Sequence, residues 1–321
     1  MHQKIAIIDA GGTISATSGS DGAFRSVGGI GQTLRLLPRF VCDGCEVHEA
    51  GTGLSENLSL GDARRIVAMI ETQAARDDVR GVVVAHGTDT MEEVSFMAEI
   101  LLRTTKPVIF TGAQRTPGSP DFDGVANLRD AITTARSRAS RDVGVLVVFG
   151  GWVLSARHCS KIHTRSLTAF GPTSLAVGTV DAEGVHIDRP RSPFAKIECE
   201  RPDEEVELLL VGLGTKGRSL ERIAQSPVRG VVLQGLGMGN VSQDLLDAAR
   251  LALSHGVLLA VAAGAEGGTG IAYGSAADLH RAGACFAGNL SARKMRILLA
   301  CVLGGRSASA AGDILRAMPF E

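Results

Sequence analysis

Two threonines follow short apolar runs in the first third of the sequence. Thr13 ends the sequence DAGGT, residues 9–13, and Thr88 lies in HGTDT, residues 86–90, directly before Asp89. Paired glycines let the backbone turn tightly, which would present the Thr13 hydroxyl at the end of the preceding run. A hydroxyl that a nearby base activates can attack a carbonyl carbon. The alternative is that Thr13 is only a turn residue, and this segment by itself does not decide between the two.

A lysine is the candidate base for this chemistry. Lys161 lies in the polar segment RHCSKIH, residues 157–163, which follows the apolar run ending at Phe149. A lysine in a polar loop is ordinarily a solvated surface group. A lysine held near a carboxylate and partly shielded from water can instead activate a hydroxyl. Glu92 and Glu93 fall in the first turn of a predicted helix, where we expect them to interact with the helix dipole rather than to react.

Three other kinds of site fit the sequence poorly. His86 and His163 could belong to a Ser-His-Asp hydrolase, but no G-x-S-x-G elbow accompanies them, so structural roles are favoured. Residues 11–12 do not complete the G-x-G-x-x-G pattern of a dinucleotide site. Cys42 and Cys45 form a C-x-x-C pair without the second pair that a tetrahedral zinc site needs. We therefore expect neither a metal ion nor a cofactor.

The composition disfavours nucleic-acid and membrane partners. The chain has 321 residues and a formal net charge of −1, which indicates no basic surface for phosphate groups. One Trp and one Tyr leave few rings for base stacking. The N-terminal residues lack a signal-peptide pattern, and the longest apolar stretches, such as residues 297–303, are too short to span a bilayer. These features predict a soluble, cytoplasmic protein with free thiols.

The elements that would position these residues alternate between apolar runs and helical patterns. The predicted strands of the first half are residues 4–9, 46–50, 81–85, 107–111 and 143–149. The predicted helices are residues 62–75, 91–103 and 124–138, with Asp62 and Thr90 as caps of the first two. Such alternation is typical of a mainly parallel sheet covered on both faces. Because ligands bind beyond the carboxyl ends of parallel strands, the polar residues there should converge.

The second half repeats the pattern on a smaller scale. A stretch rich in proline and charge, residues 187–205, predicts a linker. Beyond it we predict strands at 207–211, 230–234 and 257–262, and helices at 219–225, 243–254 and 291–303, the last capped by Ser291. The predicted fold is α/β, with a larger N-terminal domain built on a Rossmann-like parallel sheet and a smaller C-terminal α/β domain. The predicted boundaries are 1–188, a linker at 189–206, and 207–321.

Taken together, these segments resemble the bacterial-type asparaginase and glutaminase family. AGGTI at 10–14 resembles its first threonine motif, and HGTDTMEE at 86–93 resembles its second. GAQR at 112–115, together with Asp123-Gly124 and Asn127-Leu128, is similar to the family's residues downstream of that second motif. GMGN at 237–240 and NLSARK at 289–294 resemble segments of the smaller domain. The resemblance implies an asparaginase-like fold and hydrolysis of the side-chain amide of asparagine, with glutamine left open as a second substrate.

The resemblance also implies roles for individual residues. Thr13 would be the nucleophile that forms an acyl-enzyme, beside a hydrogen-bonded set of Thr88, Asp89 and Lys161. Backbone N–H groups near Thr88 would stabilise the oxyanion. The implied substrate-binding residues are Gly12, Ser55, Glu56, Gly87, Thr88, Asp89, Ala113 and Asn240. The family is usually a homotetramer of intimate dimers, so the resemblance implies a homotetramer or homodimer in which Asn240 reaches a neighbouring subunit's site.

The sequence also departs from the family pattern. The family usually has a tyrosine in a mobile loop after the first threonine, and we interpret residues 17–31 as that loop. Here the matching positions are Phe24 and Arg25, and the chain's only tyrosine is Tyr273. Three functions therefore stay open. They are an asparaginase, a family member that hydrolyses another small amide or lactam, and an amino-acid-binding protein without turnover.

Overall fold

The alternation of strands and helices predicted from the sequence is present in both halves of the chain. A computed structural model describes residues 3–18, 24–25, 29–51, 53–188, 194–318 and 320. The chain divides into two units, Met1–Lys196 and Ile197–Glu321. Their junction falls inside the predicted linker of residues 189–206, of which residues 189–193 lie outside the described residues. The exact domain boundaries stay a prediction.

The N-terminal unit is built on long apolar strands. Its strands are β1 (Lys4–Ala10), β2 (Thr17–Ser18), β3 (Phe24–Arg25), β4 (Cys45–Glu49), β5 (Val79–His86), β6 (Val108–Thr111), β7 (Val145–Phe149), β8 (Trp152–Ser155), β9 (Ser160–Lys161), β10 (Phe170–Gly171), β11 (Gly178–Val180) and β12 (Val185–Ile187). Its α-helices are α1 (Gly31–Arg35), α2 (Arg39–Cys42), α3 (Leu60–Ala75), α4 (Met91–Leu101) and α5 (Gly124–Arg136).

Eight of these strands form one sheet in the order β12-β11-β8-β7-β6-β5-β1-β4. Strands β4, β1, β5, β6 and β7 pair in parallel, as predicted, whereas β8, β11 and β12 extend the sheet with antiparallel pairs. Ile7, Val83 and Ile109 are fully buried in its core. Parallel strands that are covered on both faces carry continuous apolar runs, which is why the sequence reveals them.

The start of two helices differs from the prediction. Ser59, not Asp62, caps α3, because the helix begins earlier than its apolar periodicity suggests. Asp62 completes a capping box instead: its backbone N–H donates to Ser59 Oγ at 3.1 Å, and its Oδ2 accepts the Ser59 N–H at 2.9 Å. Thr90 precedes α4 as predicted, but its hydroxyl does not cap the helix and donates to the Ser55 carbonyl at 3.1 Å.

The C-terminal unit is a smaller α/β domain. Its strands β13 (Val206–Leu210), β14 (Gly230–Gln234), β15 (Leu258–Ala262) and β16 (Cys285–Phe286) form a parallel sheet in chain order. Its helices are α6 (Gly217–Ala224), α7 (Gln243–Ser254), α8 (Gly274–Arg281), α9 (Ala292–Leu303) and α10 (Ala308–Arg316). Ser291 caps α9 as predicted, through the Lys294 N–H at 3.4 Å. Among the described residues, no helix is long and apolar enough to cross a membrane.

Candidate active site

The loops that follow β1 and β5 meet at two glycines. Ala10 and His86 are register partners, so the two strands end side by side. A Cβ atom on Gly12 would lie 2.2 Å from the Gly87 Cα, and a Cβ atom on Gly87 would lie 2.5 Å from the Ser55 side chain. No side chain fits in either gap. The backbone before Thr13, the backbone before Thr88 and the segment of Ser55 are therefore in direct contact.

Gly12 also has a conformation that suits glycine alone. Its φ of 83° and ψ of −173° lie in a region that L-residues essentially never occupy. Thr13 then opens a single 3-10 turn, Thr13–Ser15, in which Ile14 and Ser15 are buried while Thr13 is half-buried. Gly12 thus turns the chain sharply after β1 and leaves Thr13 at the carboxyl edge of the sheet.

Lys161 connects the two polar residues that follow β5. Its Nζ donates to Thr88 Oγ1 at 2.7 Å and to Asp89 Oδ1 at 2.6 Å. The Lys161 side chain is only 14% exposed and Thr88 is buried, whereas the Asp89 side chain is 62% exposed. Asp89 can therefore neutralise the lysine and still meet a ligand that arrives from solvent.

Glu92 holds Lys161 in this position. This carboxylate is buried in the first turn of α4, and its Oε2 accepts the backbone N–H of Lys161 at 2.9 Å. The expectation that Glu92 serves only the helix dipole is therefore incomplete. The contact joins residues 69 positions apart, and nothing in the sequence distinguishes Glu92 from Glu93 in this respect. The short hairpin of β9 and β10, which pairs Lys161 with Phe170, was likewise missed because each strand has two residues.

The end of β6 packs against the same loops. A Cβ atom on Gly112 would lie 2.5 Å from the His86 carbonyl oxygen and 3.4 Å from Thr88 Cγ2, which brings the buried Ala113 next to this region. Ser55 is buried, while the neighbouring Glu56 is exposed. All the predicted substrate-binding residues of the N-terminal unit lie in loops and turns at this edge of the sheet.

Two residues of the motif downstream of Thr88 stabilise the β6 loop. The Asp123 carboxylate accepts the backbone N–H groups of Gln114 at 3.0 Å and Arg115 at 2.9 Å. Asn127 donates from Nδ2 to the Gly112 carbonyl at 3.0 Å and to Asp123 Oδ2 at 3.1 Å. These bonds give a structural reason for the spacing of Asp123 and Asn127, because both must face the same loop from the start of α5.

Family models match the chain in both units. The model "Asparaginase, N-terminal" matches residues 4–193, and the model "Glutaminase/Asparaginase C-terminal domain" matches residues 205–312. This chain belongs to the asparaginase family. The resemblance predicted from the threonine motifs is confirmed, and so is the α/β fold with a larger N-terminal sheet domain and a smaller C-terminal parallel-sheet domain.

Individual members of the asparaginase family align over nearly the whole chain. An L-asparaginase of Bacillus licheniformis is 28% identical over 94% of this chain and 96% of its own length. A protein of Deinococcus radiodurans named "Probable L-asparaginase" is 34% identical, covering 94% of this chain and 92% of the relative. L-asparaginase 2 of Escherichia coli is 30% identical, covering 94% and 88% respectively.

The two histidines near this asparaginase-family site have structural contacts. His86 is fully buried, donates from Nδ1 to the Gly87 carbonyl at 2.7 Å, and packs against Phe110. Burial lowers the pKa of His86 from 6.5 to about 4, so the ring is neutral near pH 7. His163 accepts the N–H groups of Arg165 and Ser166 at 2.9 Å each. Both contacts shape loops rather than form a hydrolase triad.

Three further features were predicted from the sequence. Asn240 belongs to the C-terminal unit, where its N–H donates to the Leu236 carbonyl at 2.8 Å and its Oδ1 accepts from Ser275 at 3.4 Å.

Most of the loop predicted at residues 17–31 lies outside the described residues. The backbones of Phe24 and Arg25 pair with β2, and their side chains lie outside the described part. Burial raises the pKa of the Cys45 thiol to about 11, which disfavours a reactive thiolate.

Proposed function

We propose that this chain hydrolyses the side-chain amide of L-asparagine to aspartate and ammonia, with Thr13 as the nucleophile. Membership of the asparaginase family and relatives named L-asparaginase support the reaction. The geometric observation that carries the proposal is the contact of Lys161 Nζ with both Thr88 Oγ1 and Asp89 Oδ1. This ion pair lies beside the glycine contact that brings the Thr13 loop against the Thr88 loop.

In the proposed mechanism, the Thr13 oxygen attacks the amide carbon. The hydroxyl proton passes to the hydrogen-bonded set of Thr88, Lys161 and Asp89, and a proton from this set goes to the departing nitrogen, which leaves as ammonia. An ester then joins Thr13 to the acyl group. Water attacks this ester, the acid leaves, and the Thr13 hydroxyl is restored. A neutral threonine is a weak nucleophile, so the adjacent base and oxyanion donors near Thr88 must supply most of the acceleration.

We propose that Ser55, Glu56 and Asp89 bind the α-groups of the substrate. An amino acid carries both charges at neutral pH, and burying either one unpaired would cost several kcal/mol. Ser55 offers a hydroxyl to the α-carboxylate, while Glu56 and Asp89 offer carboxylates to the ammonium group. The exposure of Asp89 supports this role, because a substrate can reach it from solvent while it holds Lys161. Gly12, Gly87 and Ala113 would line the remaining wall.

A different small amide is the second candidate substrate. The observation that favours it is the absence of a tyrosine at the positions of Phe24 and Arg25. Whatever a phenol contributes near the nucleophile in other members, these side chains cannot supply it in the same way. We also propose that the protein works in the cytoplasm, as a homotetramer or homodimer in which Asn240 completes a neighbour's site.

Ammonia release tests the proposed function directly. The wild-type chain and Thr13→Ala are incubated with asparagine, glutamine and a panel of small amides, and the substrates are ranked by kcat/KM. We expect asparagine to rank first and Thr13→Ala to be inactive. Preference for another amide would support the second candidate substrate. Absence of ammonia above the Thr13→Ala control with every amide would contradict the enzyme proposal.

A further inference from the structure

A buried carboxylate that the proposed mechanism does not use lies at the end of β1. Asp9 is only 7% exposed. Its Oδ1 accepts the backbone N–H of Gly11 at 3.0 Å and the hydroxyl of Ser15 at 2.9 Å. Its Oδ2 accepts the backbone N–H of Ile30 at 2.6 Å. Both oxygens of one carboxylate are therefore engaged by three neutral donors.

The three donors surround the turn that carries Thr13. Gly11 precedes Thr13 by two positions and Ser15 follows it by two, so Oδ1 spans the turn from one side to the other. Ile30 lies 21 positions beyond Asp9, directly before α1. Asp9 thus joins the start of the Thr13 turn to the chain that returns after the loop.

A carboxylate suits this place better than an amide does. Each donor requires an acceptor, and a carboxylate presents acceptors at both of its oxygens. An asparagine would place an NH₂ group against either the Ile30 N–H or the pair formed by Gly11 and Ser15. One donor would then face another donor inside the protein, and a buried group would lose its partner.

We infer that Asp9 is a positioning residue for the Thr13 hydroxyl. The inference rests on the proposed function, in which Thr13 is the nucleophile. Asp9 does not touch the substrate; it fixes the turn from which Thr13 attacks. Because the proposed α-group ligands Ser55 and Glu56 follow a different strand, loosening the Thr13 turn should slow the reaction more than it weakens substrate binding.

Thr33 offers a matched control for Asp9. This buried threonine of α1 donates from Oγ1 to the Ile14 carbonyl at 2.9 Å. It therefore ties the same two segments together, but through one neutral hydrogen bond to the Ile14 carbonyl rather than through the Asp9 carboxylate. Thr33→Val should destabilise the protein while leaving the carboxylate and its three donors in place.

The test compares kcat and KM for Asp9→Asn, Ser15→Ala, the double variant and Thr33→Val. We expect kcat of Asp9→Asn to fall about 10- to 100-fold, with KM within about threefold of wild type. Ser15→Ala should show a smaller fall. The double variant should lose no more than about twofold beyond Asp9→Asn, because the two groups share one hydrogen bond. Thr33→Val should lose clearly less kcat than Asp9→Asn, even where its unfolding midpoint falls as far.

Hydrogen exchange of the segment from Gly11 to Ser15 provides a readout that does not depend on activity. We expect this segment to exchange faster in Asp9→Asn than in Thr33→Val, since only the first change places an NH₂ group among the three donors that share the carboxylate. Suppose that the wild type is active and that Asp9→Asn keeps its kcat or loses no more of it than Thr33→Val does. This result would contradict the role of Asp9 and leave the proposed function standing. Unchanged exchange would contradict that role of Asp9 even if the wild type released no ammonia.

Discussion

Lys161 shows how much of a site can depend on the placement of one side chain. Its residue type suggested a base, yet a lysine in a polar segment is usually solvated. In the structure a buried glutamate, Glu92, binds its backbone, and its ammonium group contacts Thr88 and Asp89. The identity of the residue could be predicted from motifs. Its low exposure could not, because Glu92 reaches it from a distant part of the chain.

Replacing Lys161 with methionine should remove the proton path and keep most of the length of the side chain. We expect kcat/KM of Lys161→Met to fall about 10²- to 10⁴-fold, the usual contribution of a positioned acid or base. Aspartate binding, measured by calorimetry, should change far less. Lys216→Met, at an exposed lysine of the C-terminal unit, is the matched control and should keep wild-type kinetics. Equal losses in binding and in kcat/KM would mean that Lys161 only positions the substrate.

His86 should make the stability of the protein depend on pH. Burial lowers its pKa from 6.5 to about 4, so in moderately acidic solution the unfolded chain binds a proton that the folded chain does not. Its contribution to the free energy of unfolding is complete above pH 6.5 and is lost as the pH falls toward about 4. Urea unfolding of the wild type and His86→Gln across this range should show a shallower pH dependence for the variant. Parallel curves would contradict a buried neutral His86.

At the scale of elements, the five parallel strands were predictable and the additions to them were not. Strands β1, β5, β6 and β7 carry continuous apolar runs, whereas the edge strand β4, with the sequence CEVHE, has an alternating pattern. Strands β8, β11 and β12 are three or four residues long and gain their strand form by pairing with a neighbour. The same limit applies to the β9–β10 hairpin that holds Lys161. The contact between the loops that carry Thr13 and Thr88 could be predicted, because it follows from parallel strands that end at one edge.

The contact of Gly12 with Gly87 is the element-scale feature most open to test. A methyl group at Gly12 would overlap the Gly87 backbone, and the backbone angles of Gly12 are unsuitable for alanine. We expect Gly12→Ala to lose most of its ammonia-releasing activity and to unfold at a lower urea concentration.

Gly274→Ala is the control for this change. Gly274 begins α8, and a Cβ atom there would meet no atom within 4 Å. Alanine has a higher helix propensity than glycine, so this variant should be as stable as the wild type or slightly more stable. Its activity should be unchanged. A fully active Gly12→Ala would show that the two loops need not touch.

At the scale of the whole molecule, the sequence indicated two α/β domains because the strand and helix pattern restarts after a proline-rich stretch. The family models match each half separately. What the pattern could not reveal is how copies of the chain combine, since that depends on surfaces rather than on periodicity. The proposed role of Asn240 in a neighbour's site therefore comes from the resemblance alone.

Mixing two inactive variants tests whether sites are shared between subunits. We expect Thr13→Ala and Asn240→Ala each to be impaired alone. If subunits exchange at random, half of the dimers contain one subunit of each variant. In each mixed dimer, one of the two sites has both residues intact. A symmetric dimer should therefore recover about a quarter of wild-type activity. Activity equal to the mean of the two separate variants would contradict a shared site.

The identity of the nucleophile is the central claim, because Lys161 contacts the hydroxyl of Thr88 while the mechanism assigns the attack to Thr13. The most direct measurement is rapid acid quenching of the wild type during asparagine turnover, followed by peptide mass spectrometry. We predict an aspartyl ester on the peptide that contains Thr13. An ester on Thr88, or none on either threonine while ammonia accumulates in a burst, would contradict the account.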